Sequence, residues 1–328
     1  MNASSPLAVL DALLAPLPRV SLGTWPTPLV RLPRLGAALD VDLWMKRDEC
    51  SGLALGGNKA RKLEFVLGHA VAAGARTVVT AGPLTSNHTL MTAAAGRRLG
   101  IDVHVVLGGT LPPSATGNLA LTQLYGATVH ATPMNTAETG GYWIPPGATM
   151  PASVPGYAAC VREIVAQSGN QWPFDTVVVA YGTGSTSAGL HAGLAAIDAP
   201  VVVHAVAVSS RAAMARFDAA SPVTLAASAI DHFGEVIDLA SARTVCHWDQ
   251  PADEPGYCLP TAASEAALRR VAQDEGYLLD PTYTAKSAAA LFAMVGDRRL
   301  ARRSRVLFVH TGGLSTTADV ASHRGRTT

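Results

Sequence analysis

The sequence predicts an α/β fold built on largely parallel sheet. Three observations carry that prediction. Short β-branched runs recur along the 328 residues, longer alanine-rich segments with apolar residues three and four apart lie between them, and glycines punctuate the joins. Strands that are apolar throughout, rather than alternately, are buried on both faces, as a parallel sheet covered by helices requires.

The elements follow in order. A helix is predicted over 58–73, where Leu63, Val66, Leu67, Ala70 and Val71 form one apolar face and Asn58 reads as the N-cap. Gly74 ends it, and a strand follows over 77–81. A second helix over 85–99 closes at Gly100, a strand runs over 103–107, and a helix over 115–125 closes at Gly126. Residues 132–156 are rich in proline and glycine without periodicity and read as a long surface connection between two units. Then come a helix over 157–167, a strand over 176–180, a helix over 185–196 and a strand over 201–208. Helices over 262–275 and 284–295 and a strand over 306–310 complete the pattern, and 324–328 reads as frayed.

Composition narrows the function. The chain is 48% hydrophobic and 15% charged, which excludes disorder as its main state and supplies a sizeable core. A net charge of +1 without a basic stripe points away from nucleic acid; Arg298, Arg299, Arg302, Arg303 and Arg305 read as a solvated face. Cys50, Cys160, Cys246 and Cys258 are scattered, without metal-type spacing, so no metal is expected. Asp11 interrupts the apolar N-terminal stretch, so no signal peptide is expected, and no uncharged apolar run nears the ~18 residues of a membrane span. A cytoplasmic location is expected. Of the 25 basic residues only four are lysines, Lys46, Lys59, Lys62 and Lys286, so amine chemistry has four candidates.

Ligands of open α/β sheets bind beyond the carboxyl ends of strands. Three turns there are rich in glycine or polar residues. Tyr181-Gly182-Thr183-Gly184-Ser185-Thr186 follows a strand and opens a helix, so backbone N–H groups, hydroxyls and the helix dipole converge as an anion cradle. It lacks the lysine of a nucleoside-triphosphate loop and the G-x-S-x-G of a serine nucleophile elbow. The next strand ends in Ser209-Ser210-Arg211 without the acidic residue a dinucleotide fold needs, which leaves a lone cofactor phosphate as the simple reading. Thr85-Ser86-Asn87-His88 can cap a helix or grip a carboxylate and a ring hydroxyl, and His310-Thr311-Gly312-Gly313 is a glycine turn after a strand. The sharpest segment is Gly56-Gly57-Asn58-Lys59-Ala60-Arg61-Lys62. Lys59 falls in the first helical turn, where the dipole and Lys62 both oppose its protonation, as a Schiff-base nucleophile requires.

Taken together, these motifs resemble the D-cysteine desulfhydrase and 1-aminocyclopropane-1-carboxylate (ACC) deaminase family of fold-type II pyridoxal-phosphate enzymes, related to tryptophan synthase β. The run Lys46-Arg47-Asp48-Glu49-Cys50-Ser51-Gly52-Leu53-Ala54-Leu55-Gly56-Gly57-Asn58-Lys59 carries the resemblance, with Ser86-Asn87-His88, Thr183-Gly184-Ser185-Thr186, Pro255-Gly256-Tyr257, Leu279-Asp280-Pro281-Thr282-Tyr283 and His310-Thr311-Gly312-Gly313. It implies two open, twisted, mostly parallel sheets, with a smaller domain (62–157) inserted in a larger one (1–61 and 158–328), commonly assembled as a homodimer. It implies pyridoxal 5'-phosphate (PLP) as cofactor, with Lys59 as the Schiff-base lysine. Lys62, Thr183, Gly184, Ser185 and Thr186 would hold the phosphate, Asn87 the ring hydroxyl, and Thr311 would face the pyridine nitrogen. Ser86 and His88 would bind the carboxylate of a small amino-acid substrate, and Tyr257 and Tyr283 would line its pocket, with Lys59, Ser86, Tyr257 and Tyr283 catalytic.

Within the family, Thr284 after Tyr283 stands where ACC deaminases resemble Tyr-Glu. A carboxylate beside the pyridine nitrogen strengthens the electron sink, and threonine cannot replace it. The weaker sink favours β-elimination from D-cysteine to pyruvate, ammonia and sulfide. ACC ring opening, a cysteate sulfo-lyase, β-replacement and a non-catalytic amino-acid sensor are the alternatives. Gly184-Ser185-Thr186 leans toward the deaminases. Thr89-Leu90-Met91, Ala148-Thr149-Met150, Ser187 and Cys258, the last in place of a usual glycine, depart from the family pattern.

Overall fold

The computed structural model describes residues 4–108, 110–132, 140–210, 221–229, 233, 237–247 and 256–313. Pro255 and the 324–328 end lie outside them, as does part of the 132–156 stretch. Among the described residues, ten strands form two sheets.

The larger sheet contains β1 (Leu29–Arg31), β2 (Asp42–Arg47), β7 (Thr176–Tyr181), β8 (Val202–Ala207), β9 (Arg243–His247) and β10 (Arg305–His310), in the order β1-β2-β10-β7-β8-β9. Every pairing is parallel except β1 with β2. Burial on both faces explains its apolar strands. Val177, Val179, Leu307 and Val309 pack under the helices Pro6–Leu14, Pro155–Gln167 and Ser185–Ala196. Their neighbours Val178, Val306 and Phe308 point to the opposite face, against the helices Pro33–Leu39, Ala262–Glu275 and Thr284–Gly296. The smaller sheet is wholly parallel, in the order β5 (Thr128–His130), β4 (Asp102–Leu107), β3 (Thr77–Gly82), β6 (Tyr142–Ile144). Its core includes Val78, Val103 and Val105, with Leu63, Val66 and Leu67 from the helix Lys59–Ala72.

Gly74, Gly100 and Gly126 all take left-handed φ values at helix ends. The stretch expected as a surface connection is different where it is described. Tyr142–Ile144 pairs with β3, and Ile144, Ala148 and Val154 are fully buried. A three-residue strand is too short to show a period, which is why proline and glycine dominated the reading.

Candidate active site

The loop before Lys59 is stitched to the loop after β10. Gly57 and Gly312 form an isolated antiparallel bridge, and the Asn58 N–H donates to the Thr311 carbonyl at 2.9 Å. The backbones lie so close that a Cβ on Gly312 would meet the Gly57 Cα at 2.5 Å, so glycine is required there. The helix then begins at Lys59. Asn58 does not cap it. Its backbone is already helical (φ −61°, ψ −19°), and its Nδ2 donates instead to Thr186 Oγ1 at 3.0 Å, tying the lysine loop to the anion cradle.

Lys59 is half-buried and opens into a cleft, whereas Lys62 is 1% exposed. The two amines perturb each other electrostatically. Burial pushes Lys59 down to about 8. Burial and the charge of Lys59 hold Lys62 well below the ordinary lysine value. The other two lysines are spent elsewhere. Lys46 is fully buried and bonds to the Thr27 carbonyl, Gln167 and Glu163, and Lys286 donates to the carbonyls of Val208 and Gly256. Behind the lysine turn, Arg61 points into a dry network. It binds Asp48 through Nε and Nη2, Glu163 at 2.8 Å and 2.9 Å, and Thr27 Oγ1 at 3.0 Å, while Tyr157 donates to Asp48 at 2.6 Å.

The glycine turn expected as an anion cradle opens a helix at the cleft. Gly184, at φ +104°, caps the helix Ser185–Ala196, and Thr183, Gly184, Thr186 and Ser187 line the cleft. The buried hydroxyls of Ser185 and Ser187 have no hydrogen-bond partner. Gly147 closes on this loop: a Cβ there would lie 2.3 Å from Thr183 Oγ1.

On the opposite wall, Ser86 Oγ caps the helix Asn87–Leu99 by accepting from the N–H groups of His88 and Thr89. Both bonds use its lone pairs, leaving its proton to donate. His88 is different. Thr80 Oγ1 donates its proton to the Ile144 carbonyl at 2.8 Å, so it accepts from His88 Nε2 at 2.7 Å. Burial, with the lysine charges, keeps the ring neutral, and the buried Nδ1 has no hydrogen-bond partner. His88 therefore lines the cleft as a neutral ring whose Nε2 is engaged by Thr80. The hydroxyls of Tyr257 and Tyr283 hydrogen-bond each other, and burial raises both above the ordinary tyrosine value. Thr284 does not reach the cleft: its hydroxyl donates to Asp280 Oδ1 at 2.6 Å.

Of the site residues predicted from sequence, Lys59, Lys62, Ser86, Asn87, His88, Thr183, Gly184, Thr186, Tyr257, Tyr283 and Thr311 line one cleft. Ser185 does not line it and is fully buried at the first position of the helix. Sequence reasoning missed the Pro146-Gly147 wall, whose signal was a proline–glycine pair, and Ser187 as a cradle hydroxyl. No carboxylate lines the cleft among the described residues. Two crowded amines, orphaned hydroxyls and a helix N-terminus together fit a small phosphorylated carbonyl cofactor.

Comparison with known proteins agrees. Residues 20–312 match the family model described as pyridoxal-phosphate dependent enzyme. A Pyrococcus horikoshii protein, whose name gives ACC deaminase as a provisional activity, is 35% identical over 93% of this chain and 95% of its own length. The D-cysteine desulfhydrase of Klebsiella pneumoniae is 34% identical over 92% of this chain and 95% of its own. A solved structure described as an ACC deaminase homologue superposes with a TM-score of 0.82 at 32% identity, covering 96% of this chain and 97% of that one. A tomato (Solanum lycopersicum) threonine deaminase shares the fold at a TM-score of 0.69 and 18% identity, over 98% of this chain and 88% of that one. The chain thus belongs to the pyridoxal-phosphate-dependent enzyme family, among enzymes of the ACC deaminase and D-cysteine desulfhydrase type, with PLP as its cofactor.

Proposed function

We propose that the protein is a D-cysteine desulfhydrase-like lyase, converting D-cysteine and water to pyruvate, ammonia and hydrogen sulfide. The observation that carries this reading over ACC ring opening is a cleft lined, among the described residues, without a carboxylate, with Thr284 turned away onto Asp280. PLP, when bound, supplies an electron sink for the carbanion formed at Cα, and a neutral partner at its ring nitrogen suits expulsion of a β-leaving group.

This chain's residues divide the remaining work. Lys59 carries the cofactor and, as a neutral amine, takes the Cα proton. Lys62, Ser187, Thr186 and the first-turn N–H groups would hold the phosphate, and Asn87 and Thr311 would serve the ring. Ser86 donates its hydroxyl proton to the substrate carboxylate, and His88 forms the neutral wall beside it. Tyr257 and Tyr283 remain protonated at neutral pH and present hydroxyls at the β-substituent.

The test is a panel of D- and L-cysteine, β-chloroalanine, cysteate and ACC, assayed for the keto acid released. The reading expects pyruvate and sulfide from D-cysteine, with ACC turned over poorly or not at all. Preferential release of 2-oxobutyrate from ACC overturns it. Adding thiol acceptors separates elimination from β-replacement, because only a synthase accumulates a β-substituted amino acid.

Two further results are expected. Capture of PLP by the apoenzyme needs a neutral Lys59, so its rate rises with pH and levels off above about 8. Stopped-flow absorbance checks this, and a midpoint near the ordinary lysine value contradicts it. Ser187→Ala removes a buried hydroxyl that has no partner in the protein. Apoenzyme melting should therefore stay level or rise, while the dissociation constant for PLP rises about tenfold, for the loss of roughly 1.5 kcal/mol of bonding to a charged group.

A further inference from the structure

We propose that Asn118, which does not line the cleft, is a positioning residue that fixes which end of the Asn87 amide meets the cofactor; the inference rests on the PLP reading above. Asn118 lies in the helix Gly117–Leu124 and is 4% exposed. Its Nδ2 donates to the Thr85 carbonyl at 2.8 Å and to Asn87 Oδ1 at 2.9 Å.

The polarity of this chain of bonds is forced. A backbone carbonyl only accepts, so the end of Asn118 facing the turn is its NH2. An amide NH2 only donates, so the Asn87 atom beside it is the oxygen. Asn87 therefore turns its nitrogen end away from Asn118, and because Asn87 lines the cleft, the cleft receives a donor. The protein keeps this arrangement although Asn118 Oδ1 is left buried without a hydrogen-bond partner. Such an orphan is unfavourable for stability and is offset by the two bonds the Asn118 nitrogen donates, so the same pair of bonds that holds Asn118 also sets the polarity of Asn87.

A donor aimed at the cofactor's ring hydroxyl favours its ionised form. Once PLP is bound to a lysine, that form absorbs in the visible and the protonated form in the near ultraviolet. Asn118→Asp preserves side-chain shape but cannot donate, so it draws the Asn87 nitrogen toward itself and turns an oxygen to the ring. Asn118→Leu removes the control without reversing it.

The experiment compares purified holoenzymes across pH by the ratio of visible to near-ultraviolet absorbance. It also compares their affinities for PLP and for the methyl ether of its ring hydroxyl. Wild type should prefer PLP about tenfold, the discrimination of one charge-assisted hydrogen bond. In Asn118→Asp that preference should fall close to one and the visible fraction should drop at neutral pH, with Asn118→Leu between the two. If both variants keep the wild-type ratio and preference and lose only melting temperature, Asn118 is merely structural and the proposal fails. Equal binding of PLP and the ether by wild type also overturns it, without recourse to a variant. Wild type with a near-ultraviolet band but no visible one overturns the proposal, whereas wild type that takes up no PLP and shows neither band overturns the cofactor reading itself, which distinguishes the two failures.

Discussion

Replacing Lys59 by alanine is expected to abolish turnover, by at least about three orders of magnitude, while the protein still folds and still binds PLP without a covalent bond. Two roles disappear with one amine, carrying the cofactor and moving the Cα proton, and positioned proton transfer alone contributes about 10²–10⁴-fold. Folding should survive because burying Lys59 is itself a burden. Its depressed proton affinity means the folded state disfavours the charge, so a neutral side chain relieves that cost. Lys62→Ala should behave differently, weakening phosphate binding while keeping the visible band. Steady-state kinetics and absorbance on the two variants check the pair. A Lys59→Ala enzyme with wild-type turnover sinks the assignment.

The largest effect on stability is expected at Arg61, two residues on. Arg61 is 2% exposed and is shared between Asp48, at 0%, and Glu163, at 8%. Burial works to raise Asp48, yet the guanidinium and the Tyr157 hydroxyl hold it below the ordinary carboxylate value. Arg61→Met leaves both carboxylates buried with Lys46 as their remaining cation among the described residues, a loss of about 3–5 kcal/mol. Adding Asp48→Asn should restore part of it, because the cost lies in the stranded charge rather than in the missing contact. Denaturant unfolding measures both. A loss below about 1 kcal/mol in the single variant would mean water reaches the network.

Much of this was legible in the sequence, for identifiable reasons. Strands buried on both faces, such as Val306 to His310, announce themselves by composition, and Ser185–Ala196 and Ala262–Glu275 have the bounds their glycines and spacing predict. Short or half-exposed strands do not: Leu29–Arg31, Thr128–His130 and Tyr142–Ile144 each have three residues. The lysine loop and the cradle were visible because each carries glycines that only a special backbone needs. Cys258 shows the limit of such reading. It stands in place of a usual glycine at φ +66°, and its Sγ meets Thr85 Oγ1 at 3.3 Å. Asn58 looked like a cap because cap and bridge call for the same side chain, and only the fold brings Thr186 within reach. The tautomer of His88 was hidden for the same reason, since Thr80 and Ile144 determine it from another strand each.

The central claim, that Lys59 carries the cofactor in a chain with four lysines, is tested most directly by borohydride reduction of the PLP-loaded protein followed by peptide mass mapping. The account predicts one pyridoxyl group per chain, on Lys59. A pyridoxyl group on Lys62, or on Lys46 or Lys286, contradicts it.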